Sequence, residues 1–188
     1  MALPAKKERY TFADCLTWGE NERIEIINGE AFMMAPPSTT HQRILLALAS
    51  QLYSYLKGKT CEVFPAPFGV RLFEQDGDRP EDVDTMVEPD ISVVCDKTKI
   101  DEHGCKGAPD LIIEILSPST SRHDRLVKYN LYQRAGVREY WIVDPETHIV
   151  QVHTLEDGYY HAAQLFNSTV KVGVLEECVI DLREVFSA

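Results

Sequence analysis

The run Leu111-Ile112-Ile113-Glu114-Ile115-Leu116 places an aliphatic side chain at five of six consecutive positions. Apolar residues at every position, rather than at alternate ones, specify a strand covered on both faces. A chain holding such a strand must therefore build layers on both sides of a sheet. A second dense run, Asp90-Ile91-Ser92-Val93-Val94-Cys95, opens directly after Pro89 and makes the same demand.

Glu114 interrupts the first run, where a carboxylate is costly unless it is paired or bound to a metal. Asp90 heads the second run, and the 24 positions between the two acids allow their strands to be neighbours. Another Pro-Asp pair, Pro109-Asp110, shares a strand with Glu114. Asp110 and Glu114 are about 13 Å apart along that strand at ~3.3 Å per residue, too far to grip one ion whose ligands sit at ~2.1 Å. Asp90 with Glu114, across adjacent strands, is the pair expected to converge.

The segment Ser119 to Gly136 reads as a helix. At roughly 100° per residue, Val127, Leu131, Tyr132 and Ala135 line one apolar face, with Asp124 and Lys128 at its centre. Lysine is almost never buried without a negative partner, so this pattern aims an ammonium and a carboxylate at the interior. Such a pair is either a buried salt bridge or part of a site. Asp124, one turn before Lys128, is placed to orient it or to form a plain i,i+4 pair. Ser117, Ser119 and Thr120 read as caps around Pro118, and no GxSxG elbow surrounds them.

The remaining elements follow in order. Arg23 to Met33 alternates around Asn28-Gly29, a hairpin signal. His41 to Lys57 is an amphipathic helix with Ser38 to Thr40 available as caps and Gly58 as a stop, and it carries His41 on the face of Leu45, Leu48 and Leu52. Inward-facing His41 is either a satisfied core histidine or a functional one. Cys61 to Phe73 is extended and interrupted by proline, which suits an outer strand. Glu74 to Glu88 holds seven acids without the glycine and spacing of a calcium loop, so it reads as a solvated loop. Glu139 to Val143 is a strand. Ile149 to Leu155, Tyr159 to Phe166 and Val170 to Ile180 read as an antiparallel meander, and Asp181 to Phe186 as a terminal helical turn. His148, His153 and His161 fall in that meander without metal-site spacing. Trp18, Trp141 and the tyrosines are scattered in the manner of core residues rather than a base-stacking platform.

With 188 residues and 44% hydrophobic content, the chain supports one core, and a single domain over residues 1–188 is expected. Five cysteines, without CxxC or Cys/His pairing, read as reduced thiols. The first twenty residues hold no apolar leader, and no stretch approaches ~20 apolar residues, so a soluble cytoplasmic protein with no membrane partner is expected. The net charge of −11 opposes a general grip on nucleic acid. Between Ser119 and Arg138, however, Arg122, Arg125, Lys128, Arg134 and Arg138 face the single acid Asp124. This local basic surface can still meet phosphates, with Arg122 and Arg125 as the contacts.

The order helix, three strands, helix, strand, with Pro89-Asp90 opening one strand and Glu114 inside the next, resembles the PD-(D/E)XK nuclease superfamily. Within it, the segments IEIINGE, PPSTTHQ, EPDISVV, PDLIIEILSPSTSRHD and KYNLYQRAGVREYWIVDP are similar to the Uma-type restriction endonucleases of bacteria, from about Tyr10 to the C-terminus. The resemblance implies an α/β (α+β) fold with a restriction-endonuclease-like core. That core is a mixed central β-sheet flanked by helices in the order αβββαβ, preceded by a β-hairpin and followed by the meander. It also implies that Asp90 and Glu114 hold Mg²⁺ or Mn²⁺. The superfamily pattern places a lysine two residues after the strand acid, where this chain has Leu116. In the resembled family that lysine is thought to sit on the following helix, which is the place of Lys128. Histidine is usual at the position of His41. Glu25 matches a family acid able to support the metal or orient water, although one carboxylate on an alternating strand is more often a solvated residue.

These residues together specify a metal-dependent nuclease that hydrolyses phosphodiester bonds, most plausibly in DNA, with Asp90, Glu114 and Lys128 as its catalytic set. Cutting both strands of a duplex suits a homodimer. The alternatives are a catalytically inactive relative that binds a partner, and a metal-dependent hydrolase of another phosphoester.

Overall fold

The computed structural model describes residues 7–19, 23–117 and 124–187. In chain order the elements are α1 (Phe12–Cys15), β1 (Ile24–Ile27), β2 (Glu30–Met33), α2 (Thr39–Leu56), β3 (Glu62–Pro65), β4 (Val70–Arg71), β5 (Ile91–Val94), β6 (Ile100–Asp101), β7 (Gly104–Lys106) and β8 (Leu111–Ile115). A π-helical turn, Asp124–Lys128, leads into α3 (Tyr129–Ala135). Then come β9 (Glu139–Asp144), β10 (Ile149–Glu156), β11 (Tyr159–Tyr160), β12 (Gln164–Phe166), β13 (Thr169–Lys171), β14 (Val179–Asp181) and α4 (Leu182–Phe186).

The main sheet has the order β11-β10-β9-β8-β5-β3, with β12 also paired to β10. β8 and β9 run parallel, joined by the crossover through α3, while β5 is antiparallel to both β8 and β3. The sheet is thus mixed, and α2, β3, β5, β8, α3 and β9 reproduce the αβββαβ order. Proline-interrupted β3 forms the outer edge, as a strand lacking one ladder donor should.

Every residue of β5 and β8 is buried, which explains the unbroken apolar runs. Leu111, Ile113 and Ile115 pack with Ile44, Leu48 and Leu52 of α2 on one face. Ile112 and Leu116 pack with Leu131 and Tyr132 of α3 on the other. Full burial of each such side chain is worth about 1.5–3 kcal/mol, so these layers fix which face each residue of β8 presents. Glu114 has the parity of Ile112 and Leu116 and lies under α3.

The hairpin forms as its Asn28-Gly29 signal requires. Ile27 pairs with Glu30, and the two turn residues take positive φ of 51° and 85°, the type I′ arrangement. Ile26 and Met86 exchange both backbone hydrogen bonds at 2.8 Å, which docks the hairpin beside the segment leading to Asp90. Helix α2 begins at Ser38, whose side chain accepts from the backbone N–H of His41 at 3.2 Å.

Four expectations are corrected. Val127 is 40% exposed rather than on the apolar face, because a π turn advances each residue through a smaller angle than the 100° of an α-helix. The acidic loop is solvated through Asp82, but Val83, Thr85, Met86 and Val87 are buried, since that stretch pairs with β1 and β4. Residues 170–180 are not one strand: β13 and β14 form an antiparallel hairpin whose turn includes Glu177 at φ 60°. Finally, Cys61 and Cys95 form a disulfide across the β3 and β5 pair. Their 34-residue separation reflects the sheet register rather than any local motif, which is why spacing could not reveal it. Cys15, Cys105 and Cys178 are free, and burial pushes the Cys105 thiol up to about 11.

Among the described residues, no helix is long and apolar enough to cross a membrane.

Candidate active site

The site is assembled from four elements. β1 contributes Glu25, 4% exposed; the head of β5 contributes Asp90; β8 contributes Glu114, also 4% exposed; and the π turn contributes Lys128, 3% exposed. The Nζ of Lys128 donates to Oε1 of Glu25 and to Oε1 of Glu114, each at 2.9 Å. The buried ammonium is thus a bridge between two buried carboxylates. Glu25 is therefore not a solvated strand residue, because its Oε1 also accepts the backbone N–H of Glu88 at 2.9 Å.

Asp90 approaches the same region from the neighbouring strand. Ile91 pairs with Ile113, so one further step of the antiparallel register sets Asp90 opposite Glu114. Directly opposed side chains have Cβ atoms ~4.5–5.5 Å apart, within reach of a shared ion. Oδ2 of Asp90 accepts the backbone N–H of Ile115 at 2.8 Å and the Nε2–H of His41 at 3.1 Å. These bonds tie the carboxylate to the backbone of Ile115, the residue after Glu114, and to α2. The side chain of His41 points inward, and its buried Nδ1 has no hydrogen-bond partner among the described residues.

Leu116, two positions after Glu114, is 7% exposed and packs in the apolar layer beneath α3. Position 116 thus holds a core residue, and the buried ammonium comes from the π turn. Asp110 belongs elsewhere. It accepts the backbone N–H of Cys95 at 2.8 Å and pairs with Arg138 at 3.0 Å, tying strand ends together.

Tyr132 is the residue that periodicity concealed. It lies on the apolar face as expected and is fully buried, yet its hydroxyl donates to Oε1 of Glu114 at 2.6 Å. The available signal was its position four residues after Lys128, which stacks the two side chains over one point. Burial first, then the nearby charges of Glu114 and Glu25, raise the Tyr132 phenol well above its usual value, so it remains a proton donor.

Asp124 and Arg125 occupy the π turn, but their side chains lie outside the described structure, as do Arg122, Ser119 and Thr120 altogether.

Three carboxylates and one ammonium give the cluster a formal charge of −2, matching one divalent cation. All its anionic donors are carboxylate oxygens, which suit Mg²⁺ or Mn²⁺ rather than a thiophilic ion. Among the described residues no group of three or more acid, histidine or cysteine side chains is placed to hold a metal ion. Mg²⁺ seldom needs one, because it retains waters and commonly takes one or two protein carboxylates. Asp90 and Glu114 fit that requirement.

Comparison with known proteins agrees with this architecture. A family model described as "Putative restriction endonuclease" matches residues 12–182. Two relatives come from Synechocystis: the uncharacterized protein slr1290, 26% identical over 147 residues, covers 76% of this chain and 73% of its own length. The uncharacterized protein sll1609 is 25% identical over 126 residues, 65% of this chain and 67% of its own. Among solved structures, a crystal structure from Anabaena variabilis, titled a "putative nuclease belonging to DUF820", superposes with a TM-score of 0.74. It is 23% identical, and the match covers 95% of this chain and 98% of that one. The shared fold is restriction-endonuclease-like.

Proposed function

Because the chain belongs to the Uma2 family, whose model is described as "Putative restriction endonuclease", we propose that it is a metal-dependent nuclease acting on DNA as a single domain. The observation that carries this reading is Lys128, a buried cation held at 2.9 Å by two buried acids in a chain whose strand offers Leu116 instead of lysine. Buried charge of this kind is expensive, and hydrophobic replacements often stabilise a fold as well or better. Chemistry gives a reason to keep it.

In this reading Asp90 and Glu114 hold Mg²⁺ or Mn²⁺. When bound, such an ion polarises the phosphate and lowers the pKa of a coordinated water. The ammonium of Lys128 stabilises charge developing on the phosphate or orients the attacking water, from a site too dry to screen it. Glu25 holds Lys128 in place, and His41 with the Ile115 N–H fixes the orientation of Asp90. Asp124 is assigned a supporting role from its sequence position four residues before Lys128 alone. Arg122 and Arg125 contact backbone phosphates, whose attraction the net charge of −11 otherwise opposes. A homodimer would bring two such sites to the two strands of a duplex.

A second reading rests on Leu116. A chain without the strand lysine could keep the fold as a binding module. A cleavage screen on single-stranded, double-stranded and branched DNA, each with Mg²⁺ and Mn²⁺, decides between them. Metal-dependent cleavage that Asp90→Ala and Glu114→Ala abolish supports the nuclease. Cleavage retained in both variants eliminates this site, and binding without cleavage under every condition favours the module.

A further inference from the structure

Tyr132 carries a hydroxyl that packing alone does not require. Its ring packs in the same apolar layer as Leu116 and Leu131 and meets Tyr140 edge-on, with centroids 5.0 Å apart and planes at 73°. A phenylalanine would fill that space equally well. What the oxygen adds is a 2.6 Å hydrogen bond to the Oε1 of Glu114 that also receives Lys128.

We propose that Tyr132 is a positioning residue for the nuclease site, its hydroxyl fixing the rotamer of Glu114 so that the carboxylate can serve Lys128 and a divalent ion together. This inference rests on the metal-site reading above. Glu114 has a flexible side chain on a strand, and two donors converging on one oxygen restrict it far more than one does. The donors come from successive turns of the same helical face, so the carboxylate is registered against the π turn that presents Lys128. Tyr132 in turn is immobilised by Tyr140 of β9, the strand beside Glu114. Partners that hold a metal ligand in place commonly alter metal affinity 10- to 100-fold when removed.

The test compares Mn²⁺ binding by calorimetry in the full chain and in Tyr132→Phe, with Tyr160→Phe as a control. Tyr160 is a buried phenol of the same layer that donates to the backbone carbonyl of Val137 at 2.9 Å, so its loss reports a purely structural cost. The expected result is a 10- to 100-fold weaker Mn²⁺ affinity in Tyr132→Phe, with Tyr160→Phe binding as the parent does. Equal affinity in the parent and Tyr132→Phe would overturn the positioning role while leaving the metal site standing. Equal weakening in both variants would also overturn it, showing a general packing effect. Absence of Mn²⁺ binding by the parent chain would remove the metal-site reading and this role with it.

Discussion

The Nζ of Lys128 lies 2.9 Å from the Oε1 of Glu114, although the two residues are 14 positions apart and stand on different elements. The ammonium reaches the strand from above, through a π turn, instead of rising from the same strand. A helix packed across a sheet can therefore deliver a cation to a strand that has none of its own, through the layer between them. Here that layer is apolar and closed, and Leu116 is part of it.

Lys128→Met should unfold more easily, because it leaves Glu25 and Glu114 buried without their cation. Breaking a buried pair by removing one partner costs about 3–5 kcal/mol. Urea denaturation measures this, and the double variant Lys128→Met with Glu114→Gln should recover part of the loss. A single-variant cost well under 1 kcal/mol would show that the bridge contributes little to the folded state.

Mn²⁺ should raise the melting temperature of the parent chain and leave Asp90→Asn unmoved. A ligand at one hundred times its dissociation constant adds about 2.7 kcal/mol to the stability of the state that binds it. For a domain of this size each kcal/mol corresponds to a shift of about 2–4 °C. An identical rise in both proteins would place the ion elsewhere.

Acid stability should depend on the Asp101 ion pair. Burial acts to raise the Asp101 carboxyl, but the hydrogen bond from buried Arg71, the backbone N–H of His103 and the charges of Arg71 and Lys106 together outweigh it and carry the group below its ordinary value of 3.8. A lowered carboxyl stabilises the fold at pH values above its unfolded pKa, and that contribution disappears as pH falls through the lower folded value. Asp101→Asn should therefore be less stable than the parent at pH 7, with the difference closing below pH 4. Urea midpoints between pH 2.5 and 7 give the comparison. A difference that stayed constant across the range would exclude the ion pair as its source.

Much of this arrangement was legible in the order of residues, for reasons that packing makes plain. Strands β5 and β8 are buried on both faces, so polar residues within their apolar runs are few: Ser92 in β5, and Glu114 in β8, which is held by Lys128 and Tyr132. Glu114 stood out for that reason, and the register that sets Asp90 beside it follows from strand adjacency. Asn28-Gly29 adopts positive φ in a turn that few other residues tolerate, so the hairpin bearing Glu25 was equally visible. Lys128 was found by the same logic of a charge where none should be.

Where the reading failed, the deciding interaction was not local. The wheel that placed Val127 inside assumed α-helical spacing, and a π turn broke it. Cys61 and Cys95 meet through a sheet register that no cysteine spacing records. Tyr132 satisfies an apolar pattern with its ring and a polar site with its oxygen, so periodicity assigned it wholly to the core. Val170 to Ile180 alternates well enough for one strand, but the reversal through Glu177 makes it two.

The most direct test is single-turnover cleavage of duplex DNA in Mg²⁺ by the parent chain, Asp90→Asn, Glu114→Gln and Lys128→Met, each verified as folded by circular dichroism. Joint action of the three side chains predicts cutting by the parent and loss of at least about 100-fold in every variant, since general acid–base and electrostatic groups each contribute on that scale. A folded Lys128→Met protein that cuts at the parental rate would contradict the account, because the buried ammonium would then be structural alone.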